Sequence, residues 1–164
     1  MTNDYLPWYD DRSMQELTRR MPPGGRLLGI DFGDVRIGIA CCDPALRVAS
    51  AVETLVRKSF ADDAARLERI IQERRVFGLV VGWPLSMDGS ENPRTQATRA
   101  FLRNLHKRSN IALPHCLWDE RLTSSQVEKF LIDELDMTRA KRKKIVDQMA
   151  AVVILQSALD TLQA

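Results

Sequence analysis

With 164 residues, 45% of them apolar, the chain has the length of one ordinary domain and enough hydrophobic material for a core. No stretch approaches the roughly 20 apolar residues of a membrane span, and the polar, acidic N-terminus is unlike a signal peptide, so a soluble cytoplasmic protein with no membrane partner is expected. The formal charge is only +2, so a polyanion-binding surface must come from local clustering, as in Arg139, Lys141, Arg142, Lys143 and Lys144. Cys41, Cys42 and Cys116 fit neither a metal-ligand spacing nor a disulfide framework and read as small buried hydrophobes in a reducing compartment.

Residues 1–24 are irregular and end in Pro22-Pro23-Gly24-Gly25, with at most one short helix around 14–21. They read as a flexible extension outside the fold, with Trp8 and Tyr9 docking on its surface and the domain proper at 25–164. Three strand-like runs follow, at 27–32, 37–42 and 46–52, joined by turns at 33–36 and at Asp43-Pro44, which predicts an antiparallel meander. Ser59 caps a predicted helix over 60–75, and 76–81 is an apolar run fitting a strand covered on both faces.

Beyond the loop at 82–91, Asn92 and Pro93 open a helix reaching 107, and 113–118 gives a fifth strand with Pro114 at its first positions or on an edge. Thr123 and Gln126 form a capping-box signature for a helix over 124–134, and the last helix is predicted over 142–162. The order implies an α/β fold, a mixed five-stranded sheet of three antiparallel strands and then parallel ones, flanked by helices.

Three acids stand out against that pattern. Asp31 closes the apolar run Leu27-Leu28-Gly29-Ile30, Glu120 follows Leu117-Trp118-Asp119, and Asp147 shares a helical face with Ala150, Ala151, Ile154 and Ala158. A carboxylate held against a core costs several kcal/mol unless it is paired or metal-bound, so their convergence would call for a cation. An ordinary ion pair, for example Asp147 with Arg36, is the structural alternative. Neighbours on a strand face opposite ways, so Glu120 is preferred as the inward ligand, with Asp119 as the substitute should the chain bend.

Hard oxygen donors of this kind suit Mg²⁺ or Mn²⁺. Two such ions about 4 Å apart would activate the attacking water and stabilise the leaving oxygen of a phosphodiester, and without metal at least one of the acids should titrate upward. Gly33 directly follows the first acid-bearing strand, where backbone can turn tightly or approach a phosphate. The 81–89 loop carries Gly82 and Gly89 around Pro84 and reads either as a plain connection or as a substrate-gating element with Ser86 and Asp88 as polar contacts. His106 and His115 have no ligand-like spacing and read as structural, and no serine or cysteine nucleophile has a histidine base pattern.

The segments GIDFGDVRIGIA (29–40), VGWPLSMDG (81–89), DERLTSS (119–125) and VDQMAAVVIL (146–155) closely resemble the YqgF/RuvX family of pre-16S rRNA nucleases and Holliday junction resolvase homologues, in the family's order. The resemblance runs from about residue 26 to 159 and implies an RNase H-like fold and metal-dependent hydrolysis of nucleic-acid phosphodiesters. Asp31, Glu120 and Asp147 then match the family's catalytic acids. Its implied substrate is precursor ribosomal RNA cut at the 5′ side, with structured DNA second and the ribosome as a candidate partner. Where the family usually has serine and a small residue after the helix aspartate, this chain has Gln148 and Met149, on positions turned away from the Asp147 face.

On this reading Arg36, Arg121 and the Lys141, Arg142, Lys143, Lys144 run bind phosphates. Two other classes compete: a catalytically silent nucleic-acid-binding module in ribosome assembly or transcription, and a nucleotide-binding ATPase, whose two-domain architecture needs a far longer chain. Both a monomer and a homodimer are compatible with the sequence.

Overall fold

The computed structural model describes residues 11–123 and 138–163, the side chains of residues 11–13, 122, 142–144 and 147 excepted. Its elements are α1 (Asp11–Arg19), β1 (Arg26–Phe32), β2 (Arg36–Cys42), β3 (Ala49–Val56), α2 (Phe60–Glu73), β4 (Val76–Trp83), α3 (Pro93–Arg108), β5 (His115–Asp119), a 3-10 turn at Glu120–Leu122, and α4 (Arg139–Thr161). The sheet has five strands in the order β3-β2-β1-β4-β5. The β1–β2 and β2–β3 pairs are antiparallel, and β1–β4 and β4–β5 are parallel. This is the mixed sheet expected from the sequence, and the RNase H-like arrangement implied by the resemblance.

Side chains alternate across the strands, and this alternation sorts the core into two layers. Leu28, Ile30, Phe32, Leu79, Val81, Trp83 and Leu117 point to the layer shared with α2 and α3, whereas Leu27, Val80 and Cys116 point to the layer shared with α1 and α4. By the same alternation Asp31 and Gly82 belong to the α4 side, and the register Ile30↔Val81 makes them neighbours at the ends of β1 and β4.

Helix α4 comes very close to the sheet. A Cβ on Gly29 would stand 2.8 Å from Leu155 Cβ and 2.9 Å from the Ala151 carbonyl oxygen, distances only backbone movement could relieve. Gly29→Ala is therefore expected to destabilise the protein by about 1–3 kcal/mol, the usual penalty for overpacking, read as a lower denaturant midpoint at unchanged slope.

The caps at Ser59 and Asn92 are present as expected: Ser59 accepts from the Asp62 N–H, and Asn92 forms a full capping box with Thr95. Cys41, Cys42 and Cys116 are buried. No helix among the described residues is long and apolar enough to cross a membrane.

Several expectations differ from the structure: among them, β3 runs on to Val56, β4 runs on to Trp83, and β5 starts at His115, after Pro114. The short N-terminal helix is α1, and it is part of the core rather than outside the fold: Met14 and Leu17 are 0% exposed in the α4-side layer. Burying two such side chains contributes about 1.5–3 kcal/mol each, enough to hold a short helix in place. Residues 1–10, with Trp8 and Tyr9, lie outside the described residues.

The third strand begins at Ala49 rather than 46, because the Asp43 carboxylate accepts the Arg47 and Val48 N–H groups at 2.8 and 2.9 Å and prolongs the turn. The last helix starts at Arg139, one turn earlier than expected, capped by the Thr138 side chain, so Lys141 belongs to its first turns rather than to a preceding loop. Helix α2 stops at Glu73, and the positive φ of 52° at Arg75 turns the chain into β4. The helix expected over 124–134 lies outside the described residues.

Candidate functional site

The site sits where β1, β4 and β5 end on the α4 side of the sheet. Gly82 forms its floor: a Cβ there would lie 2.0 Å from Glu120 Oε1 and 2.7 Å from Ile154 Cδ1. The Glu120 carboxyl thus rests directly on the bare backbone of β4, beneath α4. Glycine makes this close approach possible, since any side chain would occupy the space the carboxyl needs.

Asp31, half-buried at the end of β1, reaches the same point. The Glu120 carboxyl is pushed up to about 8, by burial first and then by the charge of Asp31 and a hydrogen bond shared with Asp31. Arg94 at the start of α3 opposes that rise. Two adjacent carboxylates with little solvent around them cannot both ionise freely, so Glu120 keeps its proton to higher pH than an ordinary carboxyl does.

The chain bends as it leaves β5, and the bend separates the two consecutive acids. Asp119 caps the 3-10 turn by accepting the Arg121 N–H at 3.0 Å, and its carboxylate is gripped by the Arg121 side chain, Nε to Oδ2 at 2.9 Å and Nη2 to Oδ2 at 2.6 Å. That guanidinium holds Asp119 below the usual carboxylate range. Glu120 is the residue brought to Asp31, and Asp119 is committed to Arg121.

Arg121 also faces the 84–91 loop, where a Cβ on Gly89 would lie 3.3 Å from its Nη1 and the φ of 87° at Gly89 favours glycine. Within the loop, the Asp88 carboxylate accepts from the Ser90 N–H and Oγ at 2.9 and 2.6 Å. Asn92 Nδ2 donates to the Pro84 carbonyl at 2.7 Å and to Ser86 Oγ at 3.1 Å. Ser86 and Asp88 thus give the loop its shape. Gly33 makes a tight turn, its N–H bonded to the Arg36 carbonyl at 2.8 Å.

Among the described residues no three acids, histidines or cysteines converge. The backbone of residue 147 lies one turn before Ala151 on the helical face that meets Gly29 and Gly82. The side chains of Asp147, Arg142, Lys143 and Lys144 lie outside the described residues. Arg36, at the start of β2, and Lys141 are exposed. His106 is exposed on α3 and His115 is buried in β5, both away from the acids.

Two features of the site are not singled out by the sequence. Arg94 follows the Asn92-Pro93 helix start that borders the site. Gly82, expected in a loop, is the last-but-one residue of β4 and the platform for Glu120. The signal for the second was the strand's own alternation, which puts residues 80 and 82 on one side.

The donor set fits a hard divalent cation. Two carboxyl groups brought together with little solvent between them offer hard oxygen donors, and a cation between them would offset their mutual repulsion.

Comparison with known proteins gives the site its context. Among relatives, a protein of Rhodopseudomonas palustris (strain BisA53) named "Putative pre-16S rRNA nuclease" is 52% identical over 147 residues, covering 90% of this chain and 88% of its own. A protein of the same name from Bradyrhizobium sp. (strain ORS 278) is 52% identical over 147 residues, covering 90% and 89%. Among solved structures, RuvC of T. thermophilus in complex with a Holliday junction substrate superposes with a TM-score of 0.53 at 12% identity, over 85% of this chain and 97% of that one, a likeness of fold. The RuvX family profile, described as Holliday junction resolvase, matches residues 25–161, and the chain belongs to that family.

Proposed function

We propose that the protein is a divalent-metal-dependent nuclease that hydrolyses phosphodiester bonds, with the 5′ side of pre-16S ribosomal RNA as its substrate. The observation that carries this reading is the carboxyl pair of Asp31 and Glu120, seated on Gly82 with Glu120 raised to about 8. Such a pair is costly to fold and gains its use from a cation. The names of the relatives support the RNA substrate, and the family description supports a four-way DNA junction as the second reading.

Asp31 and Glu120 would hold Mg²⁺ or Mn²⁺, with Asp147 as the proposed third ligand from α4. When bound, such ions supply the positive charge that activates water and stabilises a leaving oxygen. The chain's own residues do the rest. The bare backbone at Gly82 leaves the Glu120 carboxyl its place, and Arg94 lends positive charge at the rim. The Asp119–Arg121 pair fixes the turn that aims Glu120. Arg36 and the basic start of α4 are proposed to meet phosphates, with Arg121 committed to Asp119.

The test is cleavage of an end-labelled pre-16S transcript beside a labelled four-way DNA junction, with Mn²⁺ and without. The wild-type protein is expected to cut the transcript in Mn²⁺ only, and Asp31→Asn to lower kcat by more than a hundredfold, beyond the 10–100-fold typical of an outer-sphere partner. Cutting confined to the junction transfers the assignment to the second reading. Tight binding of either substrate with no cutting would instead describe a silent binding module.

A further inference from the structure

Helix α3 carries Arg94, Arg99, Arg103, Lys107 and Arg108, and no acidic residue over Pro93–Arg108. Thr95, Thr98, Phe101, Leu102 and Leu105 bury its inner side. Helical spacing therefore puts Arg99, Arg103 and Lys107 in one outward row at i, i+4 and i+8, all exposed, with successive members about 6 Å apart along the axis.

Like charges at i, i+4 repel and weaken a helix, so such a row is not the default for a solvated face. Helix α2 shows the ordinary solution. It intersperses Asp62, Asp63, Glu68 and Glu73 with its arginines, and Arg66 and Arg69 are paired with Glu53 and Glu73. On α3, Arg99 is paired with Glu91 and lies over the Trp83 ring, whereas Arg103 and Lys107 form no ion pair among the described residues.

The helix also begins at the site. Asn92 and its capping box set the first turn beside the 84–91 loop, bonded to Pro84 and Ser86, and Arg94 stands on that turn. From Arg94 the basic helix runs away from the acid pair for about 20 Å.

We propose that the outer face of α3 is a phosphate rail, with Arg103 and Lys107 contacting the sugar–phosphate backbone of a substrate strand that leaves the site over the helix start. This rests on the nucleic-acid substrate proposed above. A polyanion is the occupant the charge selects: a row of evenly spaced cations joined to the acid pair by Arg94 matches a chain of evenly spaced phosphates.

The test is fluorescence anisotropy of the full chain in metal-free buffer, over a range of salt, with a fluorescein-labelled RNA hairpin bearing a 20-nucleotide single-stranded extension and the same hairpin without it. The double variant Arg103→Ala/Lys107→Ala is expected to bind the extended hairpin about tenfold more weakly, with a salt dependence shallower by roughly one to two in log–log slope, and to bind the blunt hairpin as the wild type does. Arg69→Ala on α2 serves as the charge control, and equal melting temperatures establish that the variants are folded.

Unchanged affinity for the extended hairpin, equal loss on both probes, or no binding by the wild type each overturns the rail. Binding of the expected pattern by a protein that cuts nothing would leave the rail standing and remove the nuclease reading. Cutting with unchanged binding by the double variant would do the reverse.

Discussion

Glu120→Gln is expected to abolish cleavage and, in the same metal-free protein, to raise the melting temperature at alkaline pH. The two effects have one cause. The folded chain carries Glu120 at about 8 against an ordinary value of 4.5. Between those values the folded state holds a proton that the unfolded state has released, so stability is highest below about 4.5, falls as pH rises through the window and levels off above about 8.

The span of that shift sets an upper limit of about 5 kcal/mol on the loss. Half of it, at about 2–4 °C per kcal/mol for a chain of this size, is about 5–10 °C. Glutamine has the shape of the protonated acid, keeps a donor for Asp31 and never ionises, so the variant's melting temperature should lose most of its dependence on pH across the window. Melts in EDTA from pH 5 to 9 read the difference.

Adding Mn²⁺ at pH 8 should then raise the wild-type melting temperature and leave the variant's nearly unchanged, since the cation takes the place of the Glu120 proton and stabilises only the state that binds it. A flat wild-type profile in EDTA would mean that Glu120 does not keep its proton to higher pH. A glutamine variant that cleaves at the wild-type rate would remove Glu120 from the chemistry altogether.

How much of this was legible in the sequence depends on where each residue's constraint comes from. The strands β1, β2 and β4 carry long buried runs and were readable from them, as were the caps at Ser59 and Asn92, whose side chains act within three residues. The edge strand β3 is mostly exposed or half-buried, so its start was decided by the Asp43 turn rather than by an apolar pattern. In α1 the apolar positions Met14 and Leu17 sit among charged residues, and only the tertiary contact with the α4-side layer shows that they are core.

At the site, alternation argued for Glu120 over Asp119 while assuming a regular strand. The structure brings Glu120 to Asp31 by another route, a 3-10 turn capped by Asp119 itself. What could not be read locally was the partner of each charge. Arg121 looked available for phosphates, but its guanidinium grips Asp119, two residues back in sequence. Arg94 looked like one more surface arginine, and its charge acts on Glu120 from another element.

The sharpest separation of site from scaffold comes from Gly82→Ala. The new methyl group would fall 2.0 Å from Glu120 Oε1 and 2.9 Å from its Cδ, so the carboxyl must leave its seat, whereas the nearest atom of α4 is Ile154 Cδ1, a side-chain tip at 2.7 Å that can turn aside. The expected result is asymmetric. Stability should change by about 1–3 kcal/mol, as for other overpacked positions. Cleavage should drop by about a hundredfold, the usual consequence of displacing a reacting group by an ångström.

Gly29→Ala should lose a similar amount of stability but little activity, because its clash is with the Ala151 backbone and Leu155 Cβ and strains the helix-to-sheet contact while leaving Glu120 untouched. Measured side by side, kcat and denaturant midpoint for the two alanine variants discriminate between a glycine that makes room for an acid and one that makes room for a helix. Equal losses of activity per unit of lost stability in both would mean that Gly82 serves packing alone, and Glu120 would then have no built seat at the end of β4.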